Sequence, residues 1–331
     1  MTPRRRILPI FVPHAGCPND CVFCNQKRIS GSLLPASAET VRAAVSAIAP
    51  GSGYELAFYG GSFTAMPEAE QEELLAATVP ARQSGAVATL RVSTRPDAVT
   101  EEKLARLRRY DVETVELGAQ SMCDEVLRRS GRGHTSLDTV KAAKLVKDAG
   151  FTLILQMMTG LPGSDDTRDI ASARAIAALA PDGVRVYPTV ILRNTPLYDL
   201  WRAGEYREHT VEDAVRVCAR ILSIFDDAGI PVIRMGLNPS DELSGGAAVG
   251  GAYHPALGEL VRARLWRDRA ETLLSGIEPG ADAVLAVSPN RVSVMTGQHR
   301  CNLLYLQERF ALRSVRVCAS DVVPDGEIVR I

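Results

Sequence analysis

Residues 7–24 read ILPIFVPHAGCPNDCVFC, an apolar run followed closely by Cys17, Cys21 and Cys24. The run Ile7–Val12 is rich in apolar and β-branched residues and predicts a strand. The three cysteines therefore fall in a loop at the carboxyl end of that strand. With seven cysteines in 331 residues, the chain has too few for a disulfide scaffold, so this crowding indicates a metal or cluster site.

Further strand candidates follow the first one, and helical patterns fall between them. In chain order they are Tyr54–Tyr59, Leu90–Thr94, Thr114–Leu117, Leu153–Met157, Val184–Tyr187 and Val232–Met235. This alternation is typical of parallel strands joined by crossover helices. It predicts an α/β fold, a partial TIM-type (β/α)6 or (β/α)7 barrel, although periodicity alone does not exclude a closed barrel. In either form, functional residues are expected at the carboxyl ends of strands.

Helix-capping signals support this reading and fix some of the helix ends. They mark helices at Ser37–Ala47, Glu101–Arg109 and Asp138–Ala149. Beyond Leu237 the pattern changes, because a glycine-rich stretch at residues 244–251 precedes a long helical segment. We therefore predict a barrel domain at residues 1–240 and a C-terminal extension at residues 241–331.

The predicted extension is a small α+β unit. It begins with the helical segment Leu257–Leu274 and contains two apolar runs, Ala283–Val287 and Arg313–Val317, on either side of a helix near Gln298–Phe310. Four arginines lie close together on the first helix: Arg262, Arg264, Arg267 and Arg269. A solvated helix face is the favoured explanation, and an RNA-contacting patch would look the same in sequence.

Composition excludes few classes of protein. Hydrophobic residues make up 46% and charged residues 23% of the chain, which is ordinary for a globular protein. The formal net charge of −1 neither supports nor excludes an RNA partner. The apolar stretch near the N-terminus is interrupted by Pro9 and Pro13 and is too short for a signal core, and no run is long enough to cross a bilayer. These features predict a cytoplasmic protein without a membrane partner.

The three crowded cysteines admit three kinds of chemistry. Three thiolates hold three irons of a [4Fe-4S] cluster and leave the fourth iron open to a ligand such as S-adenosylmethionine (SAM). The alternatives are a structural zinc site completed by His14 and a redox or nucleophilic cysteine. We favour the cluster, because the ligands lie together after one strand rather than in two separated knuckles. The other four cysteines are interpreted as small buried hydrophobes: Cys123, Cys218, Cys301 and Cys318.

Polar and glycine-rich motifs follow the successive strands. They are Tyr59–Phe63, Ser93–Asp97, Val115–Ser121, Arg132–Thr135, Gln156–Gly163 and Arg185–Thr189. With the cysteines, these motifs resemble the radical SAM superfamily. In their order they resemble the radical domain of the Elongator subunit 3 family and its shorter, Elp3-like bacterial relatives, over about Arg6 to Arg234. This chain departs from that family in the spacing of its first two cysteines and in the expected absence of an acetyltransferase domain.

The resemblance implies a role for each matching position. It places Phe23 beside the adenine of SAM, Gly60, Gly61 and Ser62 at the methionine amine, Gln120 near the ribose, Arg132 near the methionine carboxylate and Gln156 in the same pocket. Ser93 and Arg95 are further candidates for contact with SAM. The weaker candidates for contact with the substrate are Tyr187, Arg185 and His254, with Asn194 beside them.

The resemblance also implies a reaction. SAM is cleaved reductively to a 5′-deoxyadenosyl radical, which removes a hydrogen atom from the substrate. A tRNA or RNA base is the leading substrate, and an electron donor such as flavodoxin or ferredoxin is expected. The alternatives are a small-molecule or coproporphyrinogen-type tetrapyrrole substrate, and a zinc-stabilised binding module without catalysis.

Overall fold

The computed structural model of the chain describes residues 5–18, 21–25, 36–240 and 243–331. Within these ranges, seven parallel strands form one curled sheet, in the order β1-β2-β3-β4-β5-β6-β8. They are β1 (Ile7–Phe11), β2 (Tyr54–Tyr59), β3 (Val87–Thr94), β4 (Val112–Gln120), β5 (Thr152–Thr159), β6 (Gly183–Pro188) and β8 (Val232–Met235). The sheet is a half-barrel, which confirms the predicted partial barrel.

Helices follow the strands and cover the outer face of the sheet. They are α1 (Ala38–Ser46), α2 (Glu68–Ala76), α3 (Val79–Gln83), α4 (Glu101–Arg109), α5 (Asp124–Arg129), α6 (Ser136–Asp148), α7 (Asp166–Ala178), α8 (Pro196–Arg202) and α9 (Val211–Asp227). Ser37, Thr100 and Thr135 accept hydrogen bonds from backbone N–H groups in the first turns of α1, α4 and α6. The predicted starts of α1 and α4 are therefore confirmed, whereas α6 begins at Ser136, two residues before the predicted Asp138.

The two faces of the sheet differ in character. Side chains that point outward, such as Leu56 and Phe58 of β2, are fully buried in a large apolar core beneath the helices. Side chains that alternate with them point into the half-barrel, as Tyr59 and Glu116 do, and line a cavity. Because successive residues of a strand face opposite sides, one strand supplies both the core and the cavity.

A short ribbon and a second sheet complete the fold. The ribbon pairs β7 (Val190–Leu192) with β9 (Ala248–Gly251). The second sheet has the order β11-β10-β12. Its elements are α10 (Leu257–Leu274), β10 (Asp282–Val287), α11 (Val292–Thr296), α12 (Cys301–Arg309), β11 (Ser314–Ala319) and β12 (Ile328–Arg330).

Helix α10 joins the half-barrel to this second sheet. Leu257 and Val261 pack in the core of the half-barrel, whereas Trp266, Ala270 and Leu274 pack in the core of the C-terminal unit. The α+β extension is thus present as predicted, but one helix serves both cores. The division between residues 240 and 241 stays a prediction.

None of the helices within residues 5–18, 21–25, 36–240 and 243–331 is long and apolar enough to cross a membrane.

Candidate active site

A cavity of about 580 Å³ lies inside the half-barrel, at the carboxyl ends of the strands. Nearly every residue predicted to contact a cluster, cofactor or substrate lines it: Cys17, Cys21, Phe23, Cys24, Gly60, Gly61, Ser62, Ser93, Arg95, Gln120, Arg132, Gln156, Arg185 and Tyr187. A cavity of this size is in the range of small-molecule and cofactor sites. The structure therefore brings the predicted residues together from the ends of five strands, the segment after α5 and the cysteine loop.

The cysteine loop and the glycine turn after β2 are bonded backbone to backbone. His14 N–H donates to the Gly60 carbonyl oxygen (2.9 Å), and Ser62 N–H donates to that of Ala15 (2.8 Å). A Cβ atom on Gly61 would overlap the carbonyl oxygens of Val12 and Ala15. Glycine is required at position 61 because the two loops approach each other so closely.

The three cysteines share the cavity but differ in exposure. Cys17 is exposed, Cys24 is half-buried and Cys21 is buried. The turn that contains the last two is closed by a hydrogen bond from Cys24 N–H to the Cys21 carbonyl oxygen (2.9 Å). Among the residues that the structure describes, no three His, Cys, Asp or Glu side chains are arranged to hold a metal ion. The cysteine loop would therefore have to close around a cluster.

Arg132 is the charged neighbour of this loop. Its Nη1 donates to Cys21 Sγ (3.2 Å), and its Nη2 donates to the Gly118 carbonyl oxygen (2.8 Å). Sulfur atoms of iron–sulfur clusters accept hydrogen bonds from neighbouring donors, and Arg132 is such a donor to Cys21. The donor set around Cys21 thus fits an iron–sulfur cluster.

Two glutamines face each other beside Arg132. Gln156 Nε2 donates to Gln120 Oε1 (3.1 Å), and a Cβ atom on Gly118 would come within 2.9 Å of Gln120 Nε2. Gln120 itself has a φ of 64°, which points its side chain out of the regular strand direction. This wall of the cavity offers amide donors and acceptors, which suit the hydroxyl groups of a ribose.

Ser62 and Arg95 are tied into the protein as well as lining the cavity. Arg95 N–H donates to Ser62 Oγ (3.1 Å), and Arg95 Nη2 donates to the Arg132 carbonyl oxygen (2.8 Å). Arg95 also forms an ion pair with Asp97. The bond from Arg95 Nη2 holds the backbone carbonyl group of Arg132 in place, so Arg95 helps to position Arg132.

Part of the cavity wall is an ionic network that sequence analysis did not identify. Glu116 Oε2 accepts from Arg185 Nε (3.0 Å) and from Arg91 Nη1 (3.4 Å), and Arg91 also pairs with Glu55 (2.9 Å). Two arginines and two carboxylates balance in charge. The available signal in the sequence was Glu116 between the apolar residues Val115 and Leu117 of β4.

Two tyrosines complete this network. The hydroxyl oxygens of Tyr59 and Tyr187 accept from Arg185 at 2.9 and 3.2 Å. Burial is the main cause that raises the pKa of both tyrosines above the usual value. Burial is the largest effect on Arg185 and lowers its pKa, but Glu116, Tyr187 and Tyr59 together outweigh burial, so the pKa of Arg185 is raised. Both hydroxyl groups therefore stay protonated and face the cavity.

Two of the predicted substrate contacts lie elsewhere. His254 does not line the cavity. Instead, its Nδ1 accepts a hydrogen bond from Ala256 N–H (3.1 Å) just before α10. Asn194 has a φ of 60° in the turn after β7 and does not line the cavity either. The loop after β8 does reach it, through Leu237, Asn238 and Ser240, which no motif had indicated.

Three of the four arginines named on α10 are engaged within the protein. Arg264 pairs with Asp268 (2.7 Å), and Arg269 pairs with Asp226 (3.6 Å). Arg267 lies over the ring of Tyr305, 4.0 Å from its centroid. They form neither a fully solvated face nor an open basic patch.

Two family profiles together match most of the chain. The sequence profile of the radical SAM superfamily matches residues 11–174, and that of the radical SAM C-terminal domain matches residues 181–267. Elongator complex protein 3 of Mus musculus is 36% identical over 136 residues, which cover 40% of this chain and 25% of that protein. The tRNA uridine(34) acetyltransferase of Methanocaldococcus jannaschii is 35% identical over 136 residues, with the same coverage of 40% and 25%. The chain thus matches about a quarter of the length of these relatives.

Solved structures are similar in fold. The Elp3 protein of Methanocaldococcus infernus, with an N-terminal deletion, superposes with a TM-score of 0.63 and 23% identity, covering 83% of this chain and 69% of that one. Coproporphyrinogen III oxidase of Escherichia coli, described as a radical SAM enzyme, superposes with a TM-score of 0.51 and 16% identity. The superposition covers 69% of this chain and 54% of that one. At these identities the likeness concerns the fold.

Proposed function

Because the chain belongs to the radical SAM superfamily and is a radical SAM enzyme, we propose that Cys17, Cys21 and Cys24 hold its iron–sulfur cluster as a [4Fe-4S] cluster. The observation that carries this proposal is that all three cysteines line the cavity inside the half-barrel. When bound and reduced, such a cluster supplies the electron that cleaves SAM to methionine and a 5′-deoxyadenosyl radical. The family matches favour this enzyme over the zinc-stabilised binding module.

The residues around the cysteines would bind and orient SAM. We assign the methionine amine to the Gly60–Ser62 turn and the methionine carboxylate to Arg132, whose guanidinium has the planar geometry that binds carboxylates in pairs of hydrogen bonds. Gln120 and Gln156 face the ribose, and Phe23 packs beside the adenine. Ser93 and Arg95 complete this wall, Arg95 by holding the backbone of Arg132.

The ionic wall would face the substrate. Arg185 holds the hydroxyl oxygens of Tyr59 and Tyr187, which leaves the hydroxyl protons to be donated toward the cavity. Apolar side chains such as Val190 and Leu192 of β7 enclose the same space and limit the entry of water. We propose that Tyr187 and Arg185 orient the substrate. We do not assign this role to His254, because it lies outside the cavity.

For the substrate, we propose a base of tRNA or another RNA. The support comes from the relatives, since one of them is named a tRNA uridine(34) acetyltransferase and the match covers a quarter of its length. We further propose a cytoplasmic setting, where thiols stay reduced, and an electron donor such as flavodoxin or ferredoxin. A coproporphyrinogen-type substrate is the competing outcome of the test below.

The test is 5′-deoxyadenosine formation by the anaerobically reconstituted protein with dithionite and SAM. Bulk tRNA should stimulate it, and coproporphyrinogen III should not. Stimulation by coproporphyrinogen alone would reject the RNA substrate. If no 5′-deoxyadenosine forms under any condition, the cluster assignment itself fails.

A further inference from the structure

The C-terminal unit contains a strand–helix–turn–helix–strand arrangement. Strand β10 leads into α11, residues 297–300 form a turn, and α12 leads into β11. Strands β10 and β11 are neighbours and parallel. Met295 and Leu306, one from each helix, pack with Leu285 in one apolar core, so both helices cover the same face of the sheet. KH modules, which bind single-stranded nucleic acid, clamp its sugar-phosphate backbone with a short G-x-x-G loop. The turn between α11 and α12 is a segment of the same length.

The turn has the geometry that such a clamp requires. Gly297 has a φ of 76°, and a Cβ atom there would overlap Cys301 Sγ. His299 and Arg300 are also left-handed, with φ values of 51° and 62°. KH turns carry the pattern G-x-x-G. Here Arg300 takes the fourth position with the backbone conformation that glycine adopts readily.

The turn is held in place and faces solvent. Asn302 is buried, and its Nδ2 donates to the carbonyl oxygens of Ala263 (2.8 Å) and Met295 (3.1 Å). The side chains of His299 and Arg300 are exposed, and the first turn of α12 has no side-chain cap. Its N–H groups and the Arg300 guanidinium are the donors that a phosphate accepts.

A chain of contacts links the turn to the loop that reaches the cavity. Gln298 Nε2 donates to Glu259 Oε2 (3.4 Å) in the first turn of α10. That turn of α10 packs on the end of β8, where a Cβ atom on Gly236 would come within 2.9 Å of Leu257. Leu237, the next residue, lines the cavity. A strand of RNA on the turn would thus run beside the carboxyl end of β8.

We propose that the C-terminal unit is a KH-type RNA-binding module, and that the turn at residues 297–300 holds the phosphate backbone of single-stranded RNA beside the cavity mouth. This inference rests on the proposed RNA substrate and adds the surface that would bind it. The charge for phosphate comes from the turn rather than from α10, whose Arg264, Arg267 and Arg269 are engaged within the protein.

The test is RNA binding by the full-length, reconstituted protein. The variant replaces both exposed residues, His299→Asp with Arg300→Asp, because aspartate tolerates the left-handed backbone. A control variant reverses two exposed cations on helices α1 and α6, Arg42→Asp with Lys141→Asp, and so changes the net charge at least as much. The probe is a fluorescein-labelled single-stranded RNA of roughly 12 nucleotides, about three times the four nucleotides that a KH turn clamps.

The turn variant should bind this RNA at least about tenfold more weakly, whereas the control should bind within about twofold of the wild type. SAM cleavage without RNA should be equal in all three proteins. Equal RNA affinity of the wild type and the turn variant would overturn the inference, as would an equal loss in the control or equally tight binding of duplex RNA. A wild type that binds RNA through the turn but cleaves no SAM would instead count against the proposed function.

Discussion

Glu116→Gln is the substitution that most directly probes the ionic wall of the cavity. The Glu116 side chain is 4% exposed and accepts hydrogen bonds from Arg185 and Arg91. Glutamine keeps the shape but removes the negative charge, so two buried guanidiniums are left with only the carboxylate of Glu55. Removing one partner of a buried ion pair costs about 3–5 kcal/mol. Because Arg91 keeps Glu55, we expect the lower end of this range, about 3 kcal/mol.

The assay is equilibrium urea unfolding of the reconstituted protein, with Asp282→Asn as the matched control. Asp282 pairs with Arg313 at the surface, where water replaces the lost partner, so its effect should be several times smaller. Adding Arg185→Met to Glu116→Gln should recover part of the lost stability, because it removes the unpaired cation. Equal stability of Glu116→Gln and Asp282→Asn would refute the view that the wall is a charge-balanced network.

Three further predictions concern the site and the core beside it. Gly61→Ala should lower the free energy of unfolding by about 1–3 kcal/mol through overlap with the cysteine loop, whereas Gly245→Ala, with open space around it, should change it little in the same urea assay. Asp169 of α7 is buried outside the cavity and accepts a hydrogen bond from Gly160 N–H (2.9 Å). Burial raises the pKa of Asp169 from 3.8 to about 7, so stability should fall as pH rises through this interval, and Asp169→Asn should remove up to about 4 kcal/mol of that dependence. A pH profile parallel to the wild type would contradict this. Arg132→Gln should weaken SAM binding by about tenfold in equilibrium dialysis while the iron content stays the same, and unchanged affinity would remove Arg132 from the SAM site.

The sheet and its helices could be predicted from the sequence because their signals are local. The strand from Tyr54 to Tyr59 and the helix from Glu101 to Arg109 have the bounds that the apolar runs and the capping residue Thr100 indicated. The ribbon of β7 and β9 gave no comparable signal. Its strands are short, and Gly250 and Gly251 suggested a flexible stretch, whereas pairing with β7 is a long-range contact.

The residues of the candidate site also fall into two groups, those that local sequence signals indicated and those that only the fold brings together. Residues at strand ends, such as Gly60 and Gln156, were identified because parallel strands bring their carboxyl ends together. Glu116 lies within one of the motifs but was given no role, since its partners Arg91 of β3 and Arg185 of β6 come close to it only in the folded half-barrel. His254 was expected in the site, yet its ring bonds to the backbone before α10.

The most direct test of the central claim compares iron content and SAM cleavage in two cysteine variants after anaerobic reconstitution. The wild type and Cys318→Ala should each bind about four irons and form 5′-deoxyadenosine with dithionite. The triple variant Cys17→Ala, Cys21→Ala and Cys24→Ala should do neither. Iron retained by the triple variant, or a wild type that takes up one zinc and forms no 5′-deoxyadenosine, would contradict the account.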